Sequence, residues 1–134
     1  NRAFLRQATE ALAPLDLELF EYDVLSALRR QGHPYALPAT GIARETGLSS
    51  GAMTNRIDKL ETRGLVRRKA DKSDRRAVIV SLTSAGKRAI DDAIQLRLEA
   101  ADESLRGLSA RERNDLARLL RKVRLTGTER AEDV

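Results

Sequence analysis

The sequence contains no cysteine and only one histidine, His33. The absence of cysteine excludes disulfides, thiolate catalysis, thiol-based redox sensing and cysteine-ligated zinc. A single histidine, standing directly after a glycine where a loop is expected, gives no basis for a histidine-rich metal site. No nucleophile and base stand together in a catalytic pattern. We therefore expect neither an enzyme nor a cofactor.

Aromatic residues are scarce: they make up 3% of the 134 residues, and tryptophan is absent. A chain of this length is expected to form one compact domain, 1–134. Its core must be built from leucine, isoleucine, valine and alanine, which favours helices packed on helices and predicts a mainly α fold. The sequence also lacks an apolar run of membrane-spanning length and a signal peptide, so we expect a cytoplasmic protein without membrane contact.

The chain does carry an excess of positive charge, and this charge is concentrated in the middle. The formal net charge is +5. Residues 53–88 contain eleven basic and four acidic residues, a net charge of +7, so the rest of the chain carries −2. An anion-binding surface confined to one segment is typical of a nucleic-acid-binding protein.

The predicted elements of the middle segment follow the order of a helix-turn-helix with a β-hairpin wing. A short helix ends at the turn Gly47-Leu48-Ser49, and the next helix, capped by a serine, runs to about Arg63. Two short strands, 65–69 and 77–82, then flank a charged tip. Residues 33–88 are therefore predicted to form a winged helix-turn-helix lobe that binds double-stranded DNA.

The second helix of this lobe has the pattern of a recognition helix. Its apolar residues Met53, Ile57 and Leu60 share one face and are predicted to face the core. The opposite face is small and polar, which suits a helix that enters the major groove. A solvated helix face is the alternative, but the adjacent turn and basic hairpin favour DNA contact. The predicted DNA contacts of this region are Ser49, Ser50, Gly51, Thr54, Asn55, Arg56 and Lys59.

The basic residues at the hairpin tip have two interpretations. Lysine and arginine often merely protect exposed strands from aggregation. Here, however, Asp71 and Asp74 stand beside Arg75 and Arg76, and a guanidinium held by a carboxylate is preorganised to enter a narrow minor groove. We therefore predict DNA contacts from Lys72, Arg75 and Arg76, and we expect them to contribute affinity rather than sequence choice.

Asp58 is unexpected on the outward face of a recognition helix, because a carboxylate there repels phosphate. The residues three and four positions away from it include no basic partner. It is either simply exposed or paired with an arginine from another element, and Arg76 and Arg88 are the candidates. In the second case we expect the pair to couple ligand binding to DNA binding, because an anion that competes for the arginine releases the carboxylate.

Apolar stripes also run along the helices at the two ends of the chain, 1–15 and 89–126, beyond what a winged lobe needs. Such additions commonly dimerise a repressor. The alternative is that they complete the core of a monomer. We predict that they are dimerisation helices of a homodimer.

Two motifs resemble the MarR family of bacterial regulators. The segment from Asp74 to Thr83, followed by Ala85-Gly86, is similar to the family's wing signature of an aspartate, an arginine two places on, five further residues and Leu-Thr. The likeness extends from Asn1 to about Leu125. The passage from recognition helix to wing strand resembles the family in the pattern Thr54-x-x-Ile57-Asp58-x-Leu60-Glu61-x-x-Gly64-Leu65-Val66-Arg67-Arg68.

This resemblance implies a dimeric transcription repressor that binds a pseudo-palindromic operator and is released by a small molecule bound between lobe and dimerisation helices. Residues 48–61 look closest to the branch that responds to urate and phenolic compounds, so an aromatic or phenolic anion, or a urate-like molecule, is the expected effector. A winged helix used for protein contacts is a different class of function. The net charge of +7 argues against it, and salt-dependent DNA binding would distinguish the two.

Overall fold

The computed structural model describes the backbone from Arg2 to Glu132 and the side chains as far as Val123. Over this range the chain is mainly helical with a small β-sheet, which confirms the predicted fold class. None of its described helices is long and apolar enough to cross a membrane. The helices are α1 (Arg2–Leu12), α2 (Leu19–Arg30), α3 (Ala39–Thr46), α4 (Ser50–Thr62), α5 (Ser84–Ser104) and α6 (Ala110–Glu132), and the strands are β1 (Ala36–Pro38), β2 (Val66–Ala70) and β3 (Val78–Leu82).

The three strands form one antiparallel sheet in the order β1-β3-β2. β2 and β3 pair along their whole length, from Val66 opposite Leu82 to Ala70 opposite Val78, as predicted for the wing hairpin. The sequence does not predict β1, which pairs with the other side of β3. An edge position tolerates Pro38, which has no N–H group to donate to a neighbouring strand.

The core lies where α2, α3 and α4 meet β3 and the beginning of α5. Its fully buried side chains are aliphatic, as the composition predicts, and they include Leu25, Ile42, Leu60, Val80 and Ile90. Burying side chains of this kind contributes about 1.5–3 kcal/mol each before the entropy of ordering is counted. The core thereby fixes both helices of the helix-turn-helix against the base of the sheet.

The chain divides into two units, one up to Leu98 and the other from Glu99 onward. The first unit contains α1 to α4, the sheet and most of α5, and it includes the lobe predicted at 33–88. The second contains the end of α5 and α6, which begins at a capping box: Ser109 and Glu112 bond to each other's backbone N–H groups. α6 continues to Glu132, past residue 126, where the predicted dimerisation helix ends.

Candidate nucleic-acid interface

The turn between α3 and α4 sets the position of α4 and has the predicted geometry. Gly47 adopts φ +70°, a left-handed conformation that glycine tolerates best, and its N–H donates to the carbonyl of Ala43 at 2.9 Å. Leu48 packs against the core. The Ser49 hydroxyl then accepts from the N–H of Ala52 and caps α4.

α4 presents the two faces that the helical wheel predicts. Met53, Ile57 and Leu60 are buried, at 2%, 2% and 0% exposure. On the opposite face, the side chains of the first turns are small and exposed. A Cβ atom added at Gly51 would meet nothing within 4 Å. The structure thus brings five of the predicted DNA contacts together at the N-terminal end of the helix: Ser49, Ser50, Gly51, Thr54 and Asn55.

Arg56 and Lys59, also predicted to contact DNA, are anchored at the edge of this face. The guanidinium carbon of Arg56 lies 4.3 Å from the centroid of the Phe20 ring, and the Lys59 Nζ lies 6.0 Å from it. Cation–π contacts of this kind are worth about 0.5–1 kcal/mol at exposed sites. They hold both charges beside α2.

At the wing tip, Lys72, Arg75 and Arg76 are all exposed. The predicted role of the neighbouring aspartates is wrong in detail, because their carboxylates bond to the backbone rather than to guanidinium groups. Asp74 accepts the Arg76 backbone N–H at 3.0 Å, and Asp71 accepts the backbone N–H and hydroxyl of Ser73, both at 3.0 Å. These Ser73 bonds hold the pKa of Asp71 below its ordinary value. The aspartates therefore brace the turn that carries the basic side chains.

Asp58 does pair with an arginine of the wing, but the two named candidates are wrong. Its Oδ1 lies 2.6 Å from Nη1 of Arg68, on β2. The register of β2 against β3 explains why Arg68 is the partner. Arg68 stands opposite the buried Val80, so it shares the face of the sheet that packs toward the core and α4. Arg76 lies at the exposed wing tip, and Arg88 is exposed on α5.

Glu61 binds the same arginine more extensively than Asp58 does, and sequence reasoning missed both Glu61 and Arg68. One oxygen of the Glu61 carboxylate accepts from Nη2 and Nε of Arg68 at 2.9 and 3.3 Å, and the other accepts the Arg68 backbone N–H at 3.0 Å. These bonds lower the pKa of Glu61. The alternation of β2, which puts Arg68 on the same face as buried Val66, was the available signal.

A second ion pair holds the far end of α4. The Glu21 carboxylate, whose side chain is only 5% exposed, lies 2.7 Å from the Arg63 guanidinium and also accepts the Glu18 N–H at 3.0 Å. The Arg63 side chain is 34% exposed, so this pair links a buried carboxylate to a partly solvated guanidinium. An open cleft of about 430 Å³ lies between this pair and Asp58. Its lining residues are Asp16, Glu18, Glu21, Asp58, Lys59, Thr62 and Arg63.

The wing is joined to α5 by a closely packed connection. The Thr83 hydroxyl donates to the carbonyl of Gly64 at 2.6 Å and accepts the Gly86 N–H at 3.0 Å, while the Thr83 N–H donates to the carbonyl of Leu65 at 3.1 Å. A Cβ atom at Gly86 would lie 1.9 Å from the Leu65 carbonyl oxygen. The Leu-Thr-x-x-Gly part of the wing motif therefore has a packing function.

Comparison with known proteins agrees with this geometry. A family model described as the MarR family matches residues 15–77. The chain is 31% identical over 118 residues to the HTH-type transcriptional regulator PecS of Dickeya dadantii, a match that covers 88% of this chain and 71% of PecS.

Two solved structures are similar over nearly the whole chain. One is a mutant of MarR from Escherichia coli complexed with operator DNA, with a TM-score of 0.78, 29% identity, and coverage of 92% of this chain and 86% of that one. The other is BpsR of Bordetella bronchiseptica, whose DNA binding is regulated by 6-hydroxynicotinic acid, with a TM-score of 0.75, 25% identity, and coverage of 91% and 85%.

Proposed function

Because the chain belongs to the MarR family of winged helix-turn-helix transcriptional regulators, we propose that it is a repressor that binds a pseudo-palindromic operator as a homodimer and is released by a small aromatic anion. Regulation through operator DNA is the activity of the family, and the proteins compared above are regulators rather than enzymes, as the sequence predicts. The observation that carries the proposal is the small, exposed N-terminal face of α4 beside a basic wing.

The two surfaces suit different grooves of DNA. Thr54 and Asn55 offer a hydroxyl and an amide from an exposed helix face, which suits hydrogen bonding to base edges in the major groove. The wing tip carries Arg75 and Arg76 on a braced turn, which suits contact with phosphate or insertion into the minor groove. Base contacts would then specify the site, and the wing would supply affinity.

Replacing both wing-tip arginines, Arg75→Ala/Arg76→Ala, is expected to weaken DNA binding at least tenfold and to flatten its salt dependence. Each lost phosphate contact reduces the slope of log K against log salt by about 0.9. The measurement is a salt titration by fluorescence anisotropy, on a duplex that the wild-type protein selects from a random-sequence library.

The matched control for this prediction is Arg6→Ala/Arg111→Ala, which removes the same charge from exposed positions on α1 and α6. Circular dichroism must show that both double variants are folded. An unchanged affinity and slope in Arg75→Ala/Arg76→Ala would contradict the proposed role of the wing.

The proposed effector response rests on the position of Asp58. Its carboxylate pairs with Arg68 of the wing at 2.6 Å. An aromatic anion that competes for Arg68 would release Asp58 to repel phosphate. The regulation of BpsR by 6-hydroxynicotinic acid supports this ligand class, since that molecule is an aromatic acid. A coupling of about 1–3 kcal/mol, roughly 5–150-fold in affinity, is sufficient to switch a repressor.

Asp58→Asn is expected to abolish most of this effector response. DNA titrations with and without 6-hydroxynicotinate or urate should show at least a fivefold weakening in the wild-type protein, in the range of known couplings, and almost none in the variant. Asp92→Asn, which changes an exposed aspartate of α5, serves as control. If Asp58→Asn keeps both its operator affinity and its full effector response, Asp58 is only a solvated surface residue.

A further inference from the structure

Arg68 occupies a position in β2 where an apolar residue is expected. Val66, two residues earlier on the same face of the strand, is 2% exposed, and the cross-strand partner of Arg68 is Val80, which is fully buried. The side chain of Arg68 retains 34% exposure. Its neighbours Arg67 and Lys69 lie on the other face and are exposed. Arg68 is thus directed toward α4 at the point where the apolar core ends and the wing begins.

All three nitrogen atoms of the Arg68 guanidinium group bond to carboxylates of α4. Nη1 pairs with Asp58, and Nη2 and Nε donate to Glu61, which also accepts the Arg68 backbone N–H. Asp58 and Glu61 are three residues apart and therefore neighbours on one side of the helix. A planar guanidinium held by two carboxylates fixes direction as well as distance, which a lysine ammonium cannot do. We call these three residues the α4–β2 clamp.

We propose that Arg68 is a positioning residue for DNA binding: the clamp sets the angle between α4 and the wing, so that both reach DNA at once, and Arg68 itself makes no DNA contact. This inference rests on the proposed function. The clamp joins β2 to α4 between the apolar core, which includes Val66 and Val80, and the wing tip. Because the tip lies farther along the hairpin than the clamp, a small rotation at the clamp moves the tip by a larger distance.

The charge of Glu61 gives this proposal a distinctive consequence. Glu61 is a carboxylate on a helix that binds a polyanion, so simple electrostatics predicts that removing its charge strengthens DNA binding. If Glu61 instead positions the wing through Arg68, removing its charge weakens DNA binding. The amide that Glu61→Gln introduces has only one accepting oxygen, so it cannot hold both the guanidinium and the backbone N–H of Arg68 as the carboxylate does. The two interpretations of the same substitution therefore differ in sign.

The experiment compares Glu61→Gln, Arg68→Met and Arg68→Lys with the wild-type protein on the library-selected duplex, by salt titration and hydroxyl-radical footprinting. Glu61→Gln and Arg68→Met are each expected to weaken binding about tenfold, and Arg68→Lys less. The salt slope should stay that of the wild type, since no phosphate contact is lost. Protection of the duplex at the wing-tip positions should fade while protection by α4 remains. The double variant Glu61→Gln/Arg68→Met should be no worse than either single variant.

Thermal unfolding shows whether each variant is folded, and Arg67→Met controls for loss of one positive charge from the same strand. Equal or tighter binding by folded Glu61→Gln overturns the proposal, and so does a slope reduced by about one in Arg68→Met, which would make Arg68 a phosphate contact. These outcomes leave the proposed function intact. If the wild-type protein selects no duplex, the proposed function fails and this inference fails with it.

Discussion

Gly86→Ala is expected to lower the free energy of unfolding of this protein by about 3 kcal/mol and to weaken DNA binding more than any single change on the DNA-facing surface. The added methyl group would lie 1.9 Å from the carbonyl oxygen of Leu65. Overpacking typically costs about 1–3 kcal/mol, and more where the neighbour cannot give way. Here the neighbour is backbone, and the same carbonyl already accepts the Thr83 N–H at 3.1 Å.

The consequence reaches DNA binding because the connection lies between the recognition helix and the wing. Gly64 and Leu65 link α4 to β2, and α5 begins against them through Thr83. If α5 shifts to make room for the methyl group, the hydrogen bonds of Thr83 to this link are lost. The base of the wing then loses its fixed position relative to α4.

Gly41→Ala is a closely matched control, since Gly41 is also the third residue of its helix. A Cβ atom there would lie 3.5 Å from Leu37 Cδ2, an ordinary van der Waals distance. Alanine has the higher helix propensity, so this variant should be as stable as the wild type or up to about 1 kcal/mol more stable. Urea unfolding of the two variants provides the measurement. Equal stabilities would show that Gly86 is not required for packing.

The main elements of this fold are predictable because their signals are local. The turn at Gly47, the serine cap of α4, the capping box at Ser109 and the β-branched run of β3 each depend on neighbours within a few residues. The buried stripe of α4 follows from its periodicity alone. These local signals agree with one another, which is why the amino-acid sequence is sufficient to predict the winged helix-turn-helix.

Most of the features that sequence reasoning missed depend on distant partners. β1 becomes a strand only because β3 has an unpaired edge beside it, and a tripeptide containing Pro38 gives no strand signal of its own. Asp16 has the residue type of a helix cap and stands shortly before an apolar stripe, yet it adopts φ +51° in the preceding turn, and α2 begins after Glu18. Tertiary pairing decides the outcome for β1, whereas the start of α2 is set by a local capping box between Glu18 and Glu21.

The partner of Asp58 shows the same limit at the candidate site. Charge considerations leave two alternatives, an exposed carboxylate or one paired with an arginine from another element, and the structure shows the second. Choosing among the arginines of the wing requires the strand register, which places Arg68 opposite Val80 and Arg76 at the tip. The ion pair of Glu21 with Arg63 spans 42 residues and had no sequence signal.

The largest effect on function is expected from the proposed homodimer interface. Of the seven large hydrophobic residues that are exposed in the described part of the chain, only Val78 lies outside α1, α5 and α6. Each of the two units exposes apolar side chains, which is the basis of the proposed interface. The other six are Phe4, Leu5, Leu98, Leu119, Leu120 and Val123, each at least 51% exposed.

Leu119→Glu/Leu120→Glu is therefore expected to convert a dimer of twice the 14.9 kDa chain mass into a monomer. Two linked lobes can engage two half-sites about one helical turn, roughly 10 base pairs, apart. Linkage of this kind raises affinity by about 10²–10⁴-fold, so operator binding should fall at least a hundredfold. Light scattering measures the mass, and anisotropy on the library-selected duplex measures the affinity.

Asn114→Glu/Arg118→Glu, at exposed polar positions of the same helix, should stay dimeric and bind normally. A wild-type monomer that binds a palindrome tightly, or a Leu119→Glu/Leu120→Glu variant that remains a dimer, would show that these helices serve another purpose.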